Sequence, residues 1–180
     1  MKRCSWCNPN NQTYINYHDN EWGKLNLDDK YLFEMLILES FQAGLSWECI
    51  LNKRENFKKA YDNFEIDKII DYDNLKKEEL YNNKGIIRNK LKINSSINNA
   101  KIFKQIQKEY GTFANYILSF VKDYPIIETN VTKSELSDMI SKDLIKRGMK
   151  FIGTTIIYSY LQAIGIINSH EKDCDLHINS

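Results

Sequence analysis

The cysteines and histidines of this chain sit at its ends. Cys4, Cys7 and His18 lie near the start, His170, Cys174 and His177 near the finish, and Cys49 stands alone between them. These residue types are the soft ligands of zinc, which takes four nitrogen or sulfur donors in a tetrahedron. His170 and Cys174 are separated by three residues, a spacing that one helical turn or a tight loop can use for a metal. A site drawing on both groups would clip the chain ends together, and zinc binding in small motifs is worth about 10–16 kcal/mol at neutral pH. By spacing alone Cys4 and Cys7 form the more tempting pair, so the ligand set stays open at this point. The bland alternative is a set of scattered thiols and surface histidines.

A second cluster is aromatic. Trp6, Tyr14, Tyr17 and Trp22 crowd the N-terminal segment, and Trp47 follows the first long apolar stretch. Core packing explains any one of them. The run Tyr17-His18-Asp19-Asn20-Glu21-Trp22-Gly23 is too polar for ordinary core, however, and aromatics set among polar groups suit a slot that stacks a flat ring. Glu39 is the natural partner of such a slot. It lies in Leu36-Ile37-Leu38-Glu39-Ser40-Phe41, where a buried carboxylate is costly unless paired. Glu39 can be half of a structural ion pair or the anionic floor of a pocket for an amino group or a cationic ring. A third feature is Lys146-Arg147-Gly148-Met149-Lys150-Phe151-Ile152-Gly153-Thr154-Thr155. It reads as a helix end, a glycine hairpin and a new helix whose free amides can face a phosphate.

The elements that must hold these residues read as helical. The chain has 180 residues, 2 Pro and 7 Gly, a composition poor in turn formers. Asp28 or Asp29 can cap a helix carrying Leu32, Phe33, Leu36, Ile37 and Phe41, with Gly44 as its stop. Ser46 can cap the next. Further helices are expected over about 66–82, over 86–110 with apolar residues at helical spacing at Ile87, Leu91, Ile97, Ile102, Phe103 and Ile106, over about 112–121, over 134–147 and over 154–164. Residues 1–27 read as irregular, and no run reads as a strand. The expectation is an all-α single domain over residues 1–180 with seven or so helices. With 25 Lys and Arg against 24 Asp and Glu, the net charge of +1 excludes a polyelectrolyte driven by overall charge and leaves room for a local basic face. No apolar stretch approaches the ~20 residues of a membrane span, and no signal-peptide core follows Lys2 and Arg3. A cytoplasmic protein with no membrane attachment is expected, its cysteines thiols or metal ligands.

Taken together, these segments resemble DNA-3-methyladenine glycosylase I, the Tag family within the helix-hairpin-helix glycosylases. The resemblance rests on Cys4-Ser5-Trp6, on Tyr17 to Gly23, and on Leu38-Glu39-Ser40-Phe41-Gln42-Ala43-Gly44-Leu45-Ser46-Trp47. It continues through Lys53 to Phe57, Gly85 to Lys90, Phe151 to Thr155, and His170 with Cys174. It implies a helix-hairpin-helix DNA glycosylase fold whose N- and C-terminal segments are joined by one structural Zn²⁺ on Cys4, His18, His170 and Cys174, with Cys7 outside the ligand set. Ser169 stands where the family often has Asp before the distal histidine. Glu39 matches the carboxylate that recognises the base, and Tyr17, Trp47, Trp6 and Trp22 match the aromatics around it. Gly44 and Leu45 match the loop that fills the gap in the DNA stack, and the hairpin, with Arg147, Lys150, Gly153 and Thr154, would hold the DNA backbone.

The implied substrate is double-stranded DNA with alkylated bases, handled by a monomer without a nucleotide cofactor. The implied reaction is hydrolysis of the N-glycosidic bond of 3-methyladenine. Neither a carboxylate in Ile166 to His170 nor a lysine suited to Schiff-base chemistry follows the hairpin, so a monofunctional enzyme without lyase activity is expected. Two other readings share these residues: a zinc-clipped DNA-binding module without catalysis, and a relative that prefers another lesion such as 7-methylguanine.

Overall fold

A computed structural model describes residues 1–178. Ten α-helices and one 3₁₀ turn make up nearly all of the regular structure among them. The centre is α2 (Asp29–Gln42). The Asp28 carboxylate caps it by accepting from the amide of Tyr31, and every residue from Leu32 to Phe41 is buried. A helix covered on all sides has no polar face to turn to water. Its two interior carboxylates, Glu34 and Glu39, therefore need a reason to be there.

α1 (Gln12–Asn20) precedes it, where an irregular segment was expected. Asn11 caps this helix, and the i, i+3, i+4 spacing of Tyr14, Tyr17 and His18 puts all three on its buried face. After α2 come α3 (Trp47–Leu51), capped by Ser46, and α4 (Arg54–Ala60). The stretch expected as one helix over 66–82 is two, α5 (Ile66–Ile69) and α6 (Asn74–Asn82), because Asp73 starts a new cap. α7 (Lys90–Tyr110) begins four residues later than expected, at the Asn89 cap. Leu91 does not face the core but is 71% exposed. α8 (Phe113–Leu118) follows. The chain also forms one parallel strand pair that was not expected, β1 (Ile126–Ile127) on β2 (Ile167–Asn168), only two residues each. No described helix is long and apolar enough to cross a membrane.

α9 (Glu135–Lys146) and α10 (Thr154–Ala163) form the helix-hairpin-helix unit. Gly148 turns the chain at φ 101° and Phe151 takes a left-handed φ of 57°. α7 braces the turn. Asn99 bonds both the amide and the carbonyl of Lys150, and Asn98 donates to the carbonyl of Gly148. α10 packs on α2, so the helix bearing Glu39 and the hairpin unit share one core.

The two chain ends meet. The Lys2 amide donates to the Asp175 carboxylate and the Asp175 amide to the Lys2 carbonyl, both at 2.9 Å. Ser5 donates through both its amide and its hydroxyl to Glu171.

Candidate active site

The two buried carboxylates of α2 meet opposite fates. Glu34 receives the Arg54 Nε–H at 2.6 Å, and the same guanidinium reaches Glu21 at 2.8 Å. Glu39 is 2% exposed and has no hydrogen-bond partner for Oε2 among the described residues. Burial with no counter-charge pushes its pKa well above the ordinary carboxylate value. Glu39 lines a cavity of about 230 Å³ together with Trp6, Tyr14, Tyr17, Trp22, Gln42, Trp47, Ser159 and Gln162. The structure thus brings Glu39 together with all four aromatics expected beside it.

The walls of this cavity are rings set against one another. Trp6 meets Trp22 edge-on at 4.7 Å and Tyr14 at 5.3 Å, and Tyr17 meets Trp47 at 5.4 Å between centroids. Burial holds the Tyr17 phenol far above its ordinary pKa and raises that of Tyr14 to about 12, so both are neutral donors at physiological pH. Two more buried polar atoms beside the cavity lack partners, Gln42 Oε1 and Trp47 Nε1. A buried polar group left unpaired costs about 1–3 kcal/mol. An acceptor, a donor and a carboxylate left unpaired around one aromatic slot form a surface prepared for a flat, polar guest.

Sequence reasoning placed Tyr14 in the aromatic cluster but missed Gln42, Ser159 and Gln162 as lining residues. Their spacing carried a signal. Gln42 is one helical turn beyond Glu39, and Ser159 and Gln162 are a polar i, i+3 pair in α10 beyond its two leading threonines.

Behind the Trp6–Trp22 wall lies the cluster of soft ligands. The donor atoms of Cys4, His18 and Cys174 lie within 4.8 Å of one another, all buried. His170 stands outside that spacing, its ring centroid 5.1 Å from that of His18. Each histidine is oriented through Nδ1. His18 Nδ1 faces the Asp19 carboxylate at 2.8 Å, and His170 Nδ1 faces the Asn168 side-chain oxygen at 3.1 Å. An oxygen acceptor there places the proton on Nδ1 and leaves Nε2 as a lone pair, the tautomer of a metal ligand. His170 Nε2 is buried without a partner, and burial together with the nearby His18 lowers its pKa to about 4. Asn168 thus orients His170 through its side-chain oxygen. Burial raises the Cys4 thiol to about 12, which a bound cation would reverse. Cys7 is buried but outside the cluster.

The cluster supports the aromatic slot. Trp6 lies 5.2 Å from the His18 ring and Trp22 lies 4.7 Å from that of His170. Gly23 follows at φ 72°, where any Cβ would stand 2.9 Å from His170 Cε1.

Two further features lie on the elements that carry the site. Between α2 and α3, Gly44 turns at φ 79° with open space beside it, and Leu45 is 41% exposed. On the hairpin, Lys150 and Gly153 are exposed, and no side chain caps the start of α10 at Gly153. Arg147 is already held by Asp143 at 2.7 Å and Glu109 at 2.8 Å.

Comparison with known proteins decides the family. The sequence model of the methyladenine glycosylases matches residues 6–177. The chain belongs to the methyladenine glycosylase family. Membership makes it a DNA-repair enzyme that hydrolyses an N-glycosyl bond. It is 42% identical to DNA-3-methyladenine glycosylase 1 of Escherichia coli (strain K12), covering 97% of this chain and 96% of that protein. It is 39% identical to DNA-3-methyladenine glycosylase of Haemophilus influenzae, with 96% of each covered. A crystal structure of 3-methyladenine DNA glycosylase I superposes with a TM-score of 0.93 at 40% identity, covering 98% of this chain and all of the other. The Staphylococcus aureus 3-methyladenine DNA glycosylase I, a structure determined to explain 3-methyladenine recognition, superposes at 0.91 with 32% identity, covering 97% and 96%.

Proposed function

We propose that this enzyme flips 3-methyladenine out of alkylated double-stranded DNA into the Glu39 slot and releases it by hydrolysis. The observation that carries the reading is Glu39, a buried carboxylate with no counter-charge lining an aromatic cavity, on the same helix as a carboxylate that is paired with Arg54.

The chemistry asks little of the protein. Methylation at N3 makes the nucleoside cationic, so the bond from C1′ to the base breaks with its electrons passing into the ring and the base departs neutral. Water adds to C1′ and its proton goes to solvent. No acid is needed to protonate the leaving group, and the slot has only to accept the base and favour positive charge in its vicinity. Ionised Glu39 supplies the negative charge. Trp47, Tyr17, Trp6 and Trp22 supply ring faces, worth up to about 2 kcal/mol toward a desolvated cation. Ordinary adenine keeps a strong glycosidic bond and stays.

Gly44 and Leu45 occupy the gap that the flipped nucleotide leaves, an exposed leucine on a glycine turn beside the slot. The uncapped first turn of α10, with Gly153 and Thr154, receives a backbone phosphate, and Lys150 adds charge. Arg147 approaches DNA only as part of its ion-paired group. Asn168 is 2% exposed and engaged with His170 and Gly23, and no lysine lines the cavity among the described residues, which favours a monofunctional enzyme without lyase chemistry. Cys4, His18, Cys174 and His170 form an N₂S₂ donor set that suits one structural Zn²⁺, whose contribution is a cross-link between the chain ends.

Incubation with methylated duplex DNA, followed by chromatography of the supernatant, tests the reading. Free 3-methyladenine in excess over 7-methylguanine is the expected product, and borohydride should trap no covalent adduct. A protein that binds this DNA but frees no base is a binding module instead. Equal release of 7-methylguanine means a different lesion preference, and a trapped adduct means lyase chemistry.

A further inference from the structure

Lys92 is buried in an unusual place. It is 6% exposed and is the third residue of α7, where the helix dipole disfavours a cation. Its own amide is taken by the Asn89 cap. Among the described residues no carboxylate pairs with its ammonium, and burial lowers its pKa. The ammonium instead donates to the carbonyls of Phe41 at 2.7 Å and Ala43 at 2.5 Å. Those carbonyls belong to the C-terminus of α2, where the last helical carbonyls lack intrahelical donors and carry the negative end of the dipole. Phe41 is two residues past Glu39, and Ala43 leads directly into Gly44 and Leu45. The same ammonium lies 5.9 Å from the Phe151 ring centroid on the hairpin.

One side chain thus touches the end of the base-slot helix, the base of the Gly44–Leu45 loop and the hairpin. An unpaired buried lysine is an expensive way to cap a helix when a glycine or asparagine does so at little cost. Its geometry is better suited to fixing direction: two bonds from a braced helix set the angle at which Ala43 leaves α2.

We infer that Lys92 is a positioning residue that aims the Gly44–Leu45 loop at the DNA gap and holds it in register with the hairpin. This assignment rests on the proposed role of that loop. A wedge misplaced by about 1 Å can cost on the order of 100-fold in rate without altering the slot that receives the base.

The test uses Lys92→Met, which keeps the stem and removes the donors, beside Leu45→Ala. Three quantities are read: affinity for free 3-methyladenine by tryptophan fluorescence, kcat/KM for excision from methylated duplex, and preference for a duplex with a stable abasic analogue over an intact one. Lys92→Met is expected to bind free base within about 2-fold of the parent. Excision should fall about 10- to 100-fold, and the abasic preference should shrink as it does in Leu45→Ala. Lys92→Arg keeps the charge on a wider head and should show a smaller loss of the same selective kind, providing the reading if the methionine variant does not fold. Loss of free-base affinity in step with excision would make Lys92 a prop of the slot and overturn the assignment. Normal excision by Lys92→Met with a crippled Leu45→Ala overturns it alone. A Leu45→Ala enzyme with full excision and full abasic preference removes the loop's role, and the assignment with it.

Discussion

Glu39→Gln is expected to yield a folded protein that is more stable than its parent at neutral pH and slower in excision by about 100-fold or more. Removing one preorganised electrostatic group typically costs 10²–10³ in rate. The stability gain follows from the missing partner. Glutamine fills the same space and cannot ionise, so it escapes the cost that the carboxylate meets on charging in this buried site, and its melting temperature should be the higher of the two. Because burial raises the native pKa of Glu39 above its unfolded value, the native state holds its proton more tightly. The stability this provides is fully present below the unfolded pKa, about 4.3, and is lost as pH rises through the native value. The melting-temperature advantage of Glu39→Gln should therefore widen with rising pH. Excision runs the other way: the parent loses rate as pH falls through the raised pKa, because the neutral acid no longer complements a cationic base. Thermal melts and initial rates across the same pH series check both. Unchanged kinetics with a flat stability difference would remove Glu39 from the chemistry.

The contrast between Glu34 and Glu39 shows where sequence reading stops. Both lie in one run of buried helix, and the apolar company of Glu39 marked it as unusual. Which carboxylate meets an arginine depends on Arg54 arriving from α4, a tertiary fact that no helical period contains. The long apolar patterns, the Asp28 and Ser46 caps and the hairpin glycine were readable because each is local. The first helix was missed because it lacks an apolar stripe: its buried face is made of Tyr14, Tyr17 and His18, which read as site residues rather than as a helix. The strand pair joins residues about forty apart in sequence with two residues each, too short to leave a period. The hairpin charges were legible as a set, yet their availability was not. The bond of Arg147 to Asp143 is an i, i+4 pair that spacing could suggest, whereas Glu109 reaches it from α7. At the chain ends composition pointed to a metal, while the burial of Cys7 beside the cluster but outside it needed coordinates.

The cluster at the chain ends carries the other large effect. Cys174→Ser is expected to leave the purified protein with far less than one zinc per chain and to lower its melting temperature by about 10 °C or more. Metal binding of this kind is folding free energy, and each kcal/mol is worth about 2–4 °C at this size. Cys7→Ser is the control: it should keep its zinc, because its thiol lies outside the donors of Cys4, His18 and Cys174. The effect should reach the slot, since Trp6 and Trp22 lean on the rings of His18 and His170. With those rings no longer held at Nε2, the cage around the base loosens, so free-base affinity should fall together with stability. Lys92→Met, by contrast, should spare that affinity. Elemental analysis, thermal melts and fluorescence titration on the same preparations separate these outcomes. Equal metal loss in the Cys7 and Cys174 variants would bring Cys7 into the ligand set. Full metal retention in Cys174→Ser would show that the buried thiols and imidazoles pack without needing an ion.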